Sequence, residues 1–234
     1  MAWSGETAVV IERCHGLAGE IQIQRRGKEY EIIYNGVFLM ATYNGASEKA
    51  VVREALKLVN PCEKGPLRIL MGGLGVGYSL REALDWEEVG RVIVAEIEPA
   101  VIRWNREILG NVNKEALSDP RVGLVNCDFR KVLEEEAQAV MQDPARRYQL
   151  IVVDTDNGSS WLSLPSNAFF YQQGGLQLIK ECLHPRGVAC FWSSRREETF
   201  ENQLKSWFRG VKFHTVPEKT GKEGAFYLAG KADA

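Results

Sequence analysis

Residues 67–84, LRILMGGLGVGYSLREAL, decide the fold of this chain. The apolar residues 67–71 are typical of a buried strand, and the glycines that follow are typical of a tight loop. Residues 78–84 then have the apolar spacing of a helix. A strand, a glycine loop and a helix in this order predict an α/β arrangement, in which ligands bind at the carboxyl ends of the strands.

The same alternation continues along the chain. Further strands are predicted at residues 91–97, 122–128, 148–154, 188–192, 211–216 and 225–230. A predicted helix separates each strand from the next, except for the last two. Strands that are almost wholly apolar and alternate with helices predict a doubly wound, mostly parallel sheet of seven strands. The last two strands are joined by a short turn, which predicts an antiparallel final strand.

Residues 1–46 have a different pattern, in which strands alternate with hairpin turns. Segment 29–34 alternates between apolar and polar residues, and Asn35-Gly36 is a strong hairpin signal. We therefore expect a small antiparallel β unit over residues 1–46 and an α/β domain over residues 47–234. Ser47 is expected to cap the first helix of the α/β domain.

Composition restricts the class of protein. The 234 residues carry a net charge of −2, and 45% of them are hydrophobic, which is ordinary globular composition. There is no basic excess, so we expect no nucleic-acid partner. No apolar run reaches the roughly 20 residues that a membrane helix needs, and the start of the sequence lacks the pattern of a signal peptide. Five cysteines without a CxxC pair and three scattered histidines favour a cytoplasmic protein without a metal site.

The glycine loop is compatible with three kinds of ligand. A triphosphate site would need a lysine after the last glycine, but Tyr78 and Ser79 follow Gly77. A dinucleotide site would need GxGxxG, whereas the loop from Gly73 reads GxGxG, which makes a dinucleotide a weak interpretation. The third ligand is S-adenosylmethionine or a relative of it. This ligand has no phosphate, and glycines let the backbone approach its amino-acid or aminopropyl arm.

Three acidic residues end successive predicted strands. Glu96 ends the second strand, where a carboxylate can accept hydrogen bonds from both ribose hydroxyls of a nucleoside. Asp128 ends the third strand, where its side chain can meet the exocyclic amine of adenine, and Asp154 ends the fourth. Because the carboxyl ends of parallel strands share one edge of a sheet, these residues and the glycine loop together predict a nucleoside site.

These motifs resemble those of the spermidine synthase family, the polyamine aminopropyltransferases, which share the class I methyltransferase fold. The family's pattern of a strand, GGGDGG and TLREVL is similar to residues 68–84. Its VEIDPAVI is similar to AEIEPAVI at residues 95–102, and DPRV at residues 119–122 also fits. The similarity covers roughly residues 30–192. It implies a class I methyltransferase-like Rossmann fold, preceded here by the small β-hairpin unit.

The resemblance implies a set of site residues. The nucleoside of the cofactor would contact Gly73, Leu74, Gly75, Gly77, Glu96, Ile97 and Asp128. Asp154 is similar to the family's catalytic aspartate. It would also contact the cofactor, take a proton from the attacking amine and hold that amine in line. Beside it, Asp156 and Asn157 are expected to position the acceptor, while Trp161 and Tyr171 offer aromatic surface for a cation.

The resemblance implies a transferase that uses S-adenosylmethionine or its decarboxylated form, with a small-molecule amine as acceptor. Val76 stands where the family has the aspartate of GGGDGG, and the loss of that anionic contact slightly favours methyl transfer over aminopropyl transfer. Two other functions stay open: a non-catalytic nucleoside-binding protein and an NAD-type oxidoreductase. Related enzymes commonly dimerise, so the resemblance also leaves a homodimer open.

Overall fold

The computed structural model describes residues 6–59, 65–156, 158–221 and 223–231. A four-stranded antiparallel sheet comes first, with the strands β1 (Val9–Gly16), β2 (Gly19–Arg26), β3 (Glu29–Tyr34) and β4 (Val37–Ala41). The second sheet has the strands β5 (Leu67–Gly72), β6 (Val89–Glu96), β7 (Val122–Asn126), β8 (Tyr148–Val153), β9 (Leu183–Ser193), β10 (Arg209–Pro217) and β11 (Glu223–Gly230).

Helices connect the strands of the second sheet. The α-helices are α1 (Ala46–Leu58), α2 (Tyr78–Leu84), α3 (Pro99–Glu107), α4 (Gly110–Asn113), α5 (Phe129–Gln142), α6 (Gln173–Cys182) and α7 (Glu198–Trp207). Short 3₁₀ helices occupy Ala116–Ser118, Pro144–Arg146 and Pro165–Tyr171. Within the described part of the chain, no helix combines the length and the apolar character needed to cross a membrane.

The second sheet has the strand order β10-β11-β9-β8-β5-β6-β7. Strands β5 to β9 pair in parallel, whereas β11 pairs antiparallel with both β9 and β10. The predicted seven-stranded, mostly parallel sheet with an antiparallel final strand is therefore confirmed. The chain proceeds from β5 outward to β7 and then returns to the other side of β5 with β8, so the strand order reverses between β5 and β8.

The core lies on both faces of the second sheet, because alternate side chains of each strand point to opposite faces. In β5, Ile69 and Met71 pack towards α1, α2 and α3, while Leu70 packs towards α5, α6 and α7. Side chains of the first sheet, including the fully buried Ile23, join the core on the α1 side. The first sheet is thereby packed against the α1 side of the second sheet.

Two local expectations are wrong. Ser47 does not cap α1, because the helix begins one residue earlier and the hydroxyl of Ser47 instead bonds the Glu48 side chain. The segment 169–183, predicted as one helix, is a 3₁₀ helix up to Tyr171 followed by α6. Gly175 lies so close to Phe169 and Phe170 that a Cβ there would overlap the Phe169 carbonyl oxygen, so the backbone turns sharply at this point.

Candidate active site

A deep cleft lies at the carboxyl edge of the second sheet, beside the reversal point between β5 and β8. It encloses about 1010 Å³ of empty space, part of which is open to solvent. Ligand sites of open α/β sheets are found at this position. Its walls come from the loops after β5, β6 and β8, from the start of α1, and from apolar side chains of the first sheet, namely Ile21, Ile32, Leu39 and Met40.

The glycine loop crosses one side of the cleft. Gly73, Gly75 and Gly77 all have positive φ angles, of 95°, 53° and 85°, which only glycine adopts readily. A Cβ on Gly73 would overlap the carbonyl oxygen of Asp154, so this glycine lets the loop after β5 touch the end of β8. Gly73 and Gly75 line the cleft, whereas Gly77 is the N-cap of α2 and the side chain of Leu74 is buried.

Two asparagines hold the glycine loop from below, and the sequence carries no local signal for either role. Asn105 Nδ2, on α3, donates to the Gly75 carbonyl oxygen at 2.7 Å. Asn113 Nδ2, on α4, donates to the Val76 carbonyl oxygen at 3.1 Å and to Asn105 Oδ1 at 2.7 Å. Both asparagines are buried, so this small network of direct hydrogen bonds stabilises the shape of the loop.

Glu96 lies at the end of β6 with both carboxylate oxygens in use. Oε2 accepts from the backbone N–H of Leu74 at 2.9 Å, and Oε1 accepts from the N–H of Glu98 at 2.8 Å. Burial raises the pKa of Glu96 despite these bonds. Each carboxylate oxygen has a second lone pair, so Glu96 can still accept from the hydroxyls of a ribose. The neighbouring Ile97 also lines the cleft.

Asp128 marks the far end of the cleft, at the start of α5. It is the N-cap of that helix, since its Oδ1 accepts from the Arg130 N–H at 2.8 Å. The side chain is half-buried and keeps further acceptor capacity. Cys127 and Phe129, on either side, line the same part of the cleft and give it an apolar boundary.

Asp154 follows β8 in the middle of the cleft. Burial, and then the nearby Glu48 carboxylate, raise its pKa to about 8, although a hydrogen bond from the Ser79 hydroxyl at 3.4 Å opposes the shift. Asp156 and Glu96 add to the repulsion. A carboxyl group with a pKa near neutrality can exchange a proton with a substrate under physiological conditions.

Glu48, which the sequence analysis did not single out, lies near Asp154 in the first turn of α1 and also lines the cleft. Its side chain is buried, and its Oε2 accepts from the Ser47 hydroxyl at 2.7 Å. Burial raises the pKa of Glu48 as well.

The remaining predicted acceptor residues separate into two groups. Asp156 lines the cleft, but Oδ1 accepts from the N–H and hydroxyl of Ser163 and from Asn167 Nδ2, all within 3.0 Å. It therefore holds the loop after β8 in shape. Trp161 and Tyr171 do not line the cleft, and Tyr171 packs edge-on against Phe200 in the core. Asn157 lies outside the described residues.

Trp192, at the end of β9, is a further cleft residue that the sequence did not reveal. Its Nε1 donates to the Ser47 hydroxyl at 3.1 Å, and the same hydroxyl donates to Glu48. Trp192 and Glu48 therefore meet at one corner of the cleft, next to Asp154. We call these three residues the acidic corner.

Tyr34 joins the first sheet to the second at the edge of the cleft. Its hydroxyl donates to Glu98 Oε1 at 2.9 Å and accepts from the Ala18 N–H at 2.8 Å. Glu98 is buried and also accepts from the Leu17 N–H at 2.8 Å. The first sheet thus covers the cleft through a hydrogen-bonded contact as well as through apolar packing.

A family model and the similar proteins of known name point to the same family. The family model described as "Spermine/spermidine synthase domain" matches residues 48–213. The spermine synthase SPE4 of Saccharomyces cerevisiae is 31% identical over 140 residues, which are 60% of this chain and 43% of that protein. The polyamine aminopropyltransferase 1 of Streptomyces coelicolor is 34% identical over 134 residues, which are 56% of this chain and 23% of that protein. The matches thus cover less than half of these relatives.

Solved structures agree on the fold. A spermidine synthase in complex with the transition state analogue AdoDATO superposes with a TM-score of 0.76 at 16% identity, covering 95% of this chain and 73% of that chain. The spermidine synthase from Thermotoga maritima gives a TM-score of 0.74 at 17% identity, covering 95% of this chain and 72% of that chain.

The sequence-based preference for methyl transfer is wrong. The matching family and the similar proteins are named for spermine or spermidine synthesis and for aminopropyl transfer. The preference rested on Val76, but that side chain is fully buried and does not line the cleft. Val76 therefore does not determine the charge of the cleft, whereas Glu48 contributes a carboxylate to it.

Proposed function

Because this chain belongs to the spermine/spermidine synthase domain family, we propose that it transfers an aminopropyl group from decarboxylated S-adenosylmethionine to a small amine. The observation that carries the proposal is a group of six acidic side chains that line the cleft among mostly apolar residues: Glu48, Glu96, Glu98, Asp128, Asp154 and Asp156. Burial raises the pKa of four of them, Glu48, Glu96, Asp154 and Asp156. A cationic ligand lowers the free-energy cost of ionising these buried carboxyl groups, and both proposed substrates are cations at neutral pH.

The nucleoside of the donor fits the half of the cleft formed by β5, β6 and β7. Glu96 would accept hydrogen bonds from the ribose hydroxyls, and Asp128 would accept from the exocyclic amine of adenine. Gly73 and Gly75 would let the aminopropyl arm lie close to the backbone. Cys127 and Phe129 supply the apolar surface that a purine ring needs.

The acceptor fits the acidic corner. Asp154 and Glu48 offer carboxylates to an ammonium group, and Trp192 offers aromatic surface, which also attracts cations. The apolar side chains of the first sheet would contact the methylene chain of the amine. Asp156 supports this corner by holding the loop after β8, and it contributes negative charge without needing direct contact.

The reaction needs one proton transfer and one displacement. Asp154 would take a proton from the acceptor ammonium, which frees the nitrogen lone pair. That lone pair forms a bond with the methylene carbon by which the aminopropyl group is attached to the sulfonium sulfur. The bond between this carbon and sulfur breaks, and its electrons stay on sulfur. The products are the extended amine, which has an additional secondary amine, and the neutral thioether methylthioadenosine. The protein's main contribution is to hold the two substrates in line.

Turnover assays with purified protein test the proposal. We expect methylthioadenosine to be released when the protein is incubated with decarboxylated S-adenosylmethionine and a short diamine, and not when S-adenosylmethionine replaces the donor. Calorimetry should detect binding of methylthioadenosine alone. Nucleoside binding without release of product from any of a panel of diamines and polyamines would favour a non-catalytic nucleoside-binding protein. The absence of nucleoside binding would overturn the proposal altogether.

A further inference from the structure

The N-terminus of α1 is capped by a residue from the other end of the chain. Glu218, just after β10, accepts hydrogen bonds from three consecutive backbone N–H groups. Its Oε2 accepts from Gly45 at 3.1 Å and Ala46 at 3.2 Å, and its Oε1 accepts from Ser47 at 2.8 Å. The first N–H groups of a helix have no partner within the helix, and a negative charge there is favourable. No side chain at the start of α1 does this work itself.

The contact between the terminal hairpin and α1 is close. A Cβ on Gly224, at the start of β11, would overlap the Ser47 side chain, so the hairpin lies directly against the first turn of the helix. On its other side, Ser47 accepts from Trp192 Nε1 and donates to Glu48. A continuous series of hydrogen bonds therefore runs from Glu218 through the backbone and side chain of Ser47 to Glu48 and Trp192, the two members of the acidic corner other than Asp154.

We infer that Glu218 is a positioning residue for the acceptor amine, because it fixes the first turn of α1 and with it Glu48. This inference rests on the proposed function, since it assigns the acidic corner to the acceptor. Glu218 lies beyond the cleft lining and contacts neither Glu96 nor Asp128. We therefore expect its removal to affect the acceptor half of the cleft more than the nucleoside half.

Equilibrium binding separates these two halves. The protein is first saturated with methylthioadenosine, and the affinity for a short diamine is then measured by calorimetry. We expect Glu218→Ala to weaken diamine binding about tenfold, which is the effect of losing a helix cap and of a displaced carboxylate. The affinity for methylthioadenosine should change less than about twofold. Glu218→Gln keeps one acceptor oxygen, so its affinity for the diamine should lie between those of the unmodified protein and Glu218→Ala.

Glu223→Gln is the matched control, because Glu223 is an exposed carboxylate of the same hairpin. It should bind the diamine as the unmodified protein does. Unchanged diamine affinity in Glu218→Ala, or a parallel loss of both affinities, overturns the inference. If Glu218→Ala does not fold, Glu218→Gln decides: normal diamine affinity combined with faster amide hydrogen exchange at Ala46 and Ser47 also overturns it. A failure of the unmodified protein to bind any diamine would instead refute the proposed function.

Discussion

Asp154 combines three properties that a general base for an amine requires. It follows the central strand β8, its side chain lines the cleft, and its pKa is raised to about 8. The main cause of the raised pKa is burial, and the second is the nearby Glu48 carboxylate. The charge of a bound ammonium would offset both effects, so the carboxyl group is expected to lose its proton as the substrate binds.

Replacing Asp154 by asparagine should abolish turnover while sparing the nucleoside. Asparagine has nearly the same shape but cannot accept the proton, and general base catalysis typically contributes about 10²–10⁴-fold to a rate. We expect a loss of at least about 100-fold in kcat, with methylthioadenosine affinity nearly unchanged. Asp85→Asn, which removes a carboxylate from a surface ion pair with Arg81, is the control. An unchanged rate in Asp154→Asn would remove the residue from the mechanism.

The same substitution should change how stability depends on pH. An unfolded aspartate has a pKa of about 3.9, and in the folded protein the pKa of Asp154 is about 8. The folded state therefore binds this proton more tightly, so its stability falls as the pH rises from about 4 to about 8 and is level above that range. Glu48, Glu96 and Asp156 have raised pKa values and act in the same direction.

Urea unfolding at pH 5 and pH 8 measures this effect. The difference in the free energy of unfolding between Asp154→Asn and the unmodified protein should shift in favour of the variant as the pH rises from 5 to 8. The decline between the two values should become smaller without vanishing, because the other three acids remain. Asp85→Asn should follow the unmodified protein at both values. Parallel curves for Asp154→Asn and the unmodified protein would show that Asp154 is already ionised in the folded state at pH 5.

At the scale of single elements, the loop between β5 and α2 is the part of the site best predicted from the sequence. Its glycines were expected to let the backbone approach the arm of the ligand, and this stays a prediction. The structure shows in addition that Gly73 brings the loop against the Asp154 carbonyl group. The glycines predict the tight loop, and an apolar run predicts the strand β8 that it contacts, so both can be recognised in a single sequence.

Gly73→Ala tests this contact. Alanine at a positive φ costs roughly 1 kcal/mol in backbone strain alone, and the overlap with the Asp154 carbonyl oxygen adds to that. We expect a loss of more than about 2 kcal/mol in the free energy of unfolding, together with weaker nucleoside binding. Gly210→Ala is the control, because Gly210 has a φ of 55° and no atom within 4 Å of its would-be Cβ. If both variants lose the same free energy of unfolding, backbone strain alone accounts for the effect and the contact between Gly73 and the Asp154 carbonyl group contributes nothing.

Helix α1 shows why other parts of the site were not predictable. Its apolar spacing was visible, but its cap comes from Glu218, which is more than 170 residues away in the sequence. Glu48 becomes a site residue only because that cap and Trp192 hold the first turn against the cleft. Such contacts depend on how distant segments pack, and neither hydrophobic period nor motif spacing records them.

In the whole molecule, too, some features could be predicted from local sequence and others depend on how distant segments pack. The order of strands and helices predicted the sheet, and the carboxyl edge of that sheet located Glu96, Asp128 and Asp154 together. The position of the first sheet was not predictable, since its hairpins specify their own pairing but not the surface that they cover. Trp161 and Tyr171 were assigned by residue type, and neither lines the cleft.

The contact between the two sheets can be tested by Tyr34→Phe. The buried Glu98 loses one hydrogen bond donor and keeps the Leu17 N–H, so we expect a loss of about 1–2 kcal/mol in the free energy of unfolding measured with urea. Nucleoside affinity should also fall, because the first sheet forms one wall of the cleft. Tyr30→Phe is the control, since the hydroxyl of this half-buried tyrosine makes no hydrogen bond to any residue that the structure describes. If both variants unfold at the same urea concentration, apolar packing alone holds the first sheet over the cleft.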